Sequence, residues 1–163
     1  MDHIDRLLIG MLRDNARLSY AELARKVGLS APSVHDRVGK LEASGVIKAY
    51  RADIALEAVG LGVTAMIGVI QVTGHEIDDM AEELRALTEI ESCYYVAGAE
   101  AFQLVARVGT IADLEQLIGR INRVPGVAST RTVIALSTKW EHRPPPAGPP
   151  DVSLDRAGRK DDD

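Results

Sequence analysis

The first third of the chain carries three stripes of apolar residues at helical spacing. The first stripe predicts a helix over roughly residues 3–14 and consists of Ile4, Leu7, Leu8, Met11 and Leu12. Ser19, with Glu22 three residues later, has the pattern of a capping box and predicts the start of a second helix. Gly28 predicts the end of that helix, because glycine adopts the left-handed conformation at little cost.

A third helix is predicted from Ser30, a favourable N-cap, with Pro32 in the first turn, where a missing N–H costs little. Its apolar stripe is Val34, Val38 and Leu41. Residues 27–30 form a short turn between the second and third helices. Three short helices with this turn are typical of a helix-turn-helix, whose last helix lies in the major groove of DNA.

The face of the third helix opposite its apolar stripe carries side chains that suit contact with DNA. Serine and arginine hydrogen-bond to base edges, and lysine and arginine neutralise phosphates. Residues 46–51 predict a short strand or wing with Lys48 at the DNA backbone. The candidate DNA-binding residues are Ser30, Ser33, His35, Asp36, Arg37, Lys40 and Lys48. Two alternatives stay open: these side chains are solvated surface groups of an ordinary three-helix unit, or Arg37 forms an intramolecular salt bridge.

From residue 61 the pattern changes to β-branched strands and two amphipathic helices. Strands are predicted at 65–72, 93–97, 102–108 and 130–137, with one helix after the first strand and one after the third. The order βαββαβ predicts a ferredoxin-like domain, so the whole chain is expected to be α+β, with a winged helix-turn-helix first. Cys93 falls in a predicted strand and is expected in the core.

The strand predicted at 65–72 is apolar on both alternating sets of residues. A ferredoxin-like sheet has helices on one face only, so the other face would be a large exposed apolar patch. We therefore expect a partner sheet from an identical chain, which makes the protein a homodimer.

These patterns divide the chain into four segments. They are a helix-turn-helix domain at 1–50, a linker strand at 51–60, a ferredoxin-like domain at 61–140 and a tail at 141–163. The tail is rich in proline and acidic residues and is expected to be disordered, because it cannot bury enough apolar area to order itself.

The distribution of charge supports a nucleic-acid partner for the first segment. The net charge of the 163 residues is −5, but residues 1–50 hold eight Lys/Arg against six Asp/Glu. Local charge decides how a protein meets a phosphate backbone. The excess of acidic residues lies in the rest of the chain.

No catalytic, metal or membrane pattern is visible in the sequence. One cysteine excludes an internal disulfide and a four-thiolate zinc site, and the four histidines lack metal-ligand spacing. No phosphate loop, nucleophile elbow, signal pattern or membrane-length apolar run is present. We expect a cytoplasmic protein that is not an enzyme and holds no cofactor or metal.

With both halves in view, the sequence resembles the Lrp/AsnC family of leucine-responsive, or feast/famine, transcription regulators. The resemblance covers residues 2 to about 140. In the first half it is carried by Asp2, Ile4, Asp5 and Leu8, by Ala21 to Ala24 and Val27 to Ser30, and by Val34, Arg37, Val38, Leu41, Glu42 and Gly45 to Ile47. In the second half it is carried by Val96, Gly98, Pro125 to Val127 and Thr130 to Thr132.

Membership implies a regulator of amino-acid metabolism that binds double-stranded DNA. It also implies dimers that assemble into octamers or other higher oligomers, and an amino-acid effector bound between dimers. The residues that resemble the effector pocket are Gly98, Ala99, Glu100, Thr130, Arg131 and Thr132. Glu100 and Ala101 stand where members commonly carry an aromatic residue followed by aspartate, so the pocket is altered here.

Two other classes of protein share parts of this pattern. Siroheme decarboxylases resemble the same two-domain architecture, but they would need polar or basic residues around a tetrapyrrole. The second half offers His75 and few arginines for that purpose. A metabolite-binding oligomer that has lost DNA binding is the other alternative, and Arg37 and Lys40 argue against it.

Overall fold

The computed structural model describes residues 1–141, which form two compact units. The first unit is Met1–Ala52 together with residues 140–141, and the second is Asp53–Lys139. Apart from Glu141, the tail expected to be disordered lies outside the described residues, as does His142. The two units are described separately.

The first unit contains the three predicted helices, α1 His3–Asp14, α2 Tyr20–Val27 and α3 Ala31–Ala43. Capping boxes begin α1 at Asp2 and α2 at Ser19, and Ser30 caps α3. Gly28 ends α2 at φ 71°, in the left-handed conformation that glycine adopts readily. The buried core of this unit is Leu8, Leu12, Leu23, Ala24, Val34 and Val38, as the apolar stripes predict.

The strands predicted after α3 are absent, so the strand assignments for residues 46–51 and 51–60 were wrong. Residues 46–51 form no strand, and the N–H of Ile47 donates to the carbonyl of Leu41 at 3.0 Å. The linker 51–60 contains a 3-10 helix, Leu56–Val59, instead of a strand. An isolated strand leaves its N–H and C=O groups unpaired, and no neighbouring strand pairs with residues 46–60 in the described part of the chain.

The second unit has the predicted βαββαβ order. Its elements are β1 Val63–Gln71, α4 Ile77–Arg85, β2 Ile90–Tyr95, β3 Phe102–Val108, α5 Ile111–Ile121 and β4 Val127–Ile134. The antiparallel sheet has the strand order β2-β3-β1-β4, so β2 and β4 are its edges. β4 begins three residues earlier than predicted, directly after a turn in which Gly126 has φ 91°.

Alternate residues of β1 and β3 face the helices and form the core of the second unit. The buried residues are Ala65, Ile67 and Val69 of β1, Phe102, Leu104, Ala106 and Val108 of β3, and Met80, Leu84, Leu114, Leu117, Ile121 and Val124 beyond the strands. The intervening residues, such as Met66 and Val105, lie on the other face, which we call the helix-free face. Cys93 is exposed on the edge strand β2, so its predicted burial was wrong.

Candidate nucleic-acid interface and ligand site

The N-terminus of α3 is built by two serines. The Ser30 Oγ accepts from the N–H of Ser33 at 3.3 Å, and the two hydroxyl oxygens lie 2.8 Å apart. Both side chains are exposed. The first turn of a helix has N–H groups without helical partners and a positive dipole end, an arrangement that suits a phosphate.

His35, Asp36 and Lys40 are exposed along α3. The Nδ1 of His35 lies 3.6 Å from Asp36, and its ring meets Tyr20 of α2 edge to face with centroids 5.1 Å apart. An open groove of about 690 Å³ beside α3 includes Ser33, Asp36 and Lys40 in its lining. The structure therefore places Ser33, Asp36 and Lys40 on one accessible side of the helix, whereas His35 lies against α2.

Arg37 differs from the other candidates because it is paired within the chain. Its Nη1 donates to the carboxylates of Asp2 and Asp5, at 2.7 Å each. The pKa of Asp2 is lowered by the N–H of Asp5 and then by Arg37, and the pKa of Arg37 is raised by Asp5 and then by Asp2. This geometry favours the salt-bridge alternative, and direct DNA contact by Arg37 stays a prediction.

Lys48 is exposed in the segment that follows α3. That segment is tied to the helix by Tyr50, whose hydroxyl donates to Glu42 at 2.8 Å. Partial burial and the Glu42 carboxylate raise the pKa of Tyr50 to about 12, so its proton is retained at neutral pH. Sequence reasoning missed this tie, because residues 42 and 50 share no local pattern.

The second group of candidates surrounds the loop at 96–101, between β2 and β3. Gly98 and Ala99 are exposed there, beside an open cavity of about 370 Å³. Gly98 does not have a positive φ, and a Cβ built on it meets no atom within 4 Å. Neither backbone conformation nor packing within the chain therefore requires glycine at this position.

Glu100 leaves this loop and crosses the helix-free face of the sheet. Its carboxylate accepts from the Arg131 guanidinium at 2.8 Å, with 22% of the Glu100 side chain exposed. A Cβ on Gly68 of β1 would lie 2.7 Å from the Glu100 Cγ. Gly68 was missed in the sequence, although a glycine inside a strand often marks a close approach.

The remaining candidates on β4 alternate between the two faces. Thr130 pairs with Val69 and Thr132 with Ile67, both on the helix-packed face, whereas Arg131 pairs with Gly68. Since directly opposed residues share a face, Arg131 joins Glu100 and the two threonines do not. Within one chain the structure assembles only part of the expected pocket.

Among residues 1–141, no group of three or more His, Cys, Asp or Glu side chains is arranged to hold a metal ion. No helix in that part of the chain is long and apolar enough to cross a membrane.

Comparison with known proteins gives a match for each unit. Residues 1–48 match the family described as winged helix-turn-helix DNA-binding, and residues 64–145 match the Lrp/AsnC ligand binding domain. The chain is similar to the HTH-type transcriptional regulator LrpA of Mycobacterium tuberculosis, at 38% identity over 88% of this chain and 95% of that protein. It is also similar to the regulatory protein AsnC of Escherichia coli K12, at 31% identity over 83% of this chain and 90% of that protein.

Solved structures share the fold. A feast or famine regulatory protein from Mycobacterium tuberculosis, complexed with L-methionine, has a TM-score of 0.83 and 38% identity. The match covers 88% of this chain and 97% of that chain.

Proposed function

The chain is a transcription regulator of the Lrp/AsnC family, and from this premise we propose that α3 reads base edges in the major groove of duplex DNA. The observation that carries the proposal is the exposed polar side of α3, where Ser30, Ser33 and Lys40 stand on a helix held by a buried stripe. Serine supplies hydrogen bonds to bases, and Lys40 and Lys48 supply phosphate contacts.

The experiment is selection of duplexes from a random pool with the full chain, followed by footprinting. Two recognition helices related by a two-fold axis should protect half-sites about 10 base pairs apart, or a multiple of that spacing. Affinity should fall steeply with salt as counterions are released. Absence of any enriched duplex at low salt contradicts the proposal.

The family points to oligomers, and we propose a homodimer formed through the helix-free face. Met66 and Val133, which pair across β1 and β4, are 39% and 55% exposed on that face. A second sheet would remove this apolar surface from water, worth roughly 25 cal/mol per Å². Assembly into an octamer or another higher oligomer is part of the same proposal.

For the effector we propose an amino acid at the loop 96–101, held by Glu100 and Arg131. Glu100 and Arg131 are paired with each other at 2.8 Å in the free chain, and a bound zwitterion would exchange that bond for one from its ammonium to Glu100 and one from Arg131 to its carboxylate. The open space at Gly98 and Ala99 admits a ligand backbone. The methionine complex of the relative from Mycobacterium tuberculosis supports this class of ligand.

We assign Thr130 and Thr132 to the packing of β4 against the helices, because their strand partners are buried on that face. We further propose a cytoplasmic regulator rather than an enzyme. This is supported by the names of the two relatives described above, a transcriptional regulator and a regulatory protein.

A further inference from the structure

We propose that Arg37 is a positioning residue, which fixes the recognition helix α3 to the start of α1 through Asp2 and Asp5 and does not contact DNA. The inference rests on the proposed reading of DNA by α3. It changes the role of the one arginine on that helix from ligand contact to internal support.

Both carboxylates are held in place by hydrogen bonds other than those from Arg37. In the capping box of α1, the Asp2 carboxylate accepts from the N–H of Asp5 at 2.9 Å, and the Asp5 carboxylate accepts from the N–H of Asp2 at 2.8 Å. One nitrogen of Arg37 then donates to both, at 2.7 Å each. A guanidinium that meets two immobilised acceptors is itself held in one place.

Arg37 stands at the border between the buried and exposed sides of α3. It lies three residues after Val34 and one before Val38, both 0% exposed. The Asp5 side chain is only 15% exposed, so the pair is partly shielded from water and salt. Rotation of α3 about its axis, or sliding along it, would break these bonds and also disturb the apolar contact with α1.

The charge balance argues against a phosphate contact by the same side chain. Two carboxylates face a single guanidinium, so this cluster carries one net negative charge. A phosphate that approached Arg37 would meet both carboxylates, and like charges repel. Lys40, exposed one turn further along α3, carries a positive charge that pairs with no carboxylate in the described part of the chain, and we assign the phosphate contact to it.

The two roles of Arg37 predict opposite effects of removing Asp5, which makes the test decisive. If Arg37 positions α3, Asp5→Ala weakens binding to the selected duplex by about tenfold, as Arg37→Gln does, and the double variant is no weaker than either single one. If Arg37 contacts DNA, Asp5→Ala frees the guanidinium and removes a negative charge, so affinity stays equal or rises. Asp14→Ala, at the exposed end of α1, is the matched control for loss of charge.

The salt dependence gives a second readout that loss of stability would not imitate. A positioning Arg37 leaves the slope of log affinity against log salt at the wild-type value in Arg37→Gln, whereas a phosphate contact lowers it by roughly 0.9. Circular dichroism melts set the assay temperature well below each transition, so that every variant is folded. Equal or tighter binding by Asp5→Ala, or the lowered slope in Arg37→Gln, overturns the inference while the proposed function stands. A wild type that binds no duplex overturns both.

Discussion

Glu100 crosses β1 at Gly68, where even a single methyl group would lie 2.7 Å from its Cγ. The absence of a side chain at residue 68 is what lets the Glu100 carboxylate reach Arg131 on the next strand. An ordinary glycine in a strand weakens it, because it has no side chain to pack. This glycine instead accommodates an ion pair that links the loop 96–101 to β4.

Gly68→Ala should therefore push Glu100 aside and break its pair with Arg131. We expect a loss of about 1 kcal/mol in the free energy of unfolding, because the added methyl group displaces a partly exposed side chain and breaks a partly exposed ion pair. Urea denaturation measures the loss, and a crystal structure of the variant shows where Glu100 moves. The control is Gly62→Ala, since a Cβ at Gly62 meets nothing within 4 Å. Equal stability of both variants would contradict this account of Gly68.

Glu100→Ala should abolish the response of the protein to amino acids, because the ligand ammonium would lose its charged acceptor. A thermal-shift screen of the twenty amino acids against wild type, Glu100→Ala and the exposed helix variant Glu115→Ala measures this effect. A stabilising amino acid should raise the melting temperature of wild type and Glu115→Ala only. If no amino acid shifts wild type, the proposed effector class is wrong.

Substitutions on the two faces of the sheet should have different consequences. Met66→Glu places a charge on the helix-free face and should yield a folded monomer, because Met66 is already 39% exposed in one chain. Leu104→Asp places a charge among fully buried residues and should destabilise the chain by several kcal/mol. Sedimentation velocity and thermal melts separate the outcomes. A Met66→Glu protein that stays dimeric would place the interface elsewhere.

Acid should weaken the first unit through its two capping boxes. The Asp5 N–H lowers the pKa of Asp2 below 3.8, and the Ser19 hydroxyl lowers that of Glu22 below 4.5. Groups with depressed folded pKa values stabilise the fold above the ordinary pKa, and this stabilisation is lost as pH falls through the folded value. The melting temperature should be flat near neutral pH and fall below pH 4.5.

Asp2→Asn and Glu22→Gln provide the comparison for this acid dependence. Both substitutions keep the shape of the side chain but remove the titrating group. The melting temperature of each variant should therefore fall less steeply in acid than that of wild type. Asp14→Asn, at the exposed end of α1, should show the same dependence of melting temperature on pH as wild type. If the slopes of all three variants match that of wild type, other carboxylates govern the acid transition.

The sequence predicted well wherever the cause of a structure is local. Ser19 with Glu22, and Ser30 with Pro32, specify helix starts within four residues, and those helices begin where predicted. Residues 46–60 were mispredicted because a strand exists only with a neighbour to pair with, and a single sequence does not show that neighbour.

The sequence indicated which residues belong to the candidate sites, but it did not show which of them contact one another. The face of α3 follows from helical spacing, whereas the partners of Arg37 are 32 and 35 residues away and left no local signal. On β4 the family resemblance named three consecutive residues. Strand alternation then places Arg131 on one face and its neighbours Thr130 and Thr132 on the other.

Because of that alternation, neighbouring residues of β4 lie on opposite faces of the sheet and are joined through one backbone. Successive side chains of a strand share a stiff backbone and project to opposite faces. A displacement of the backbone at Arg131 on the helix-free face therefore also shifts Thr130 and Thr132 on the side that packs against the helices. Because β4 is an edge strand with a ladder on one side only, fewer backbone hydrogen bonds hold it in place than hold β1 or β3. Movement at the charged pair can thus reach the opposite layer without passing through the side chains of the core.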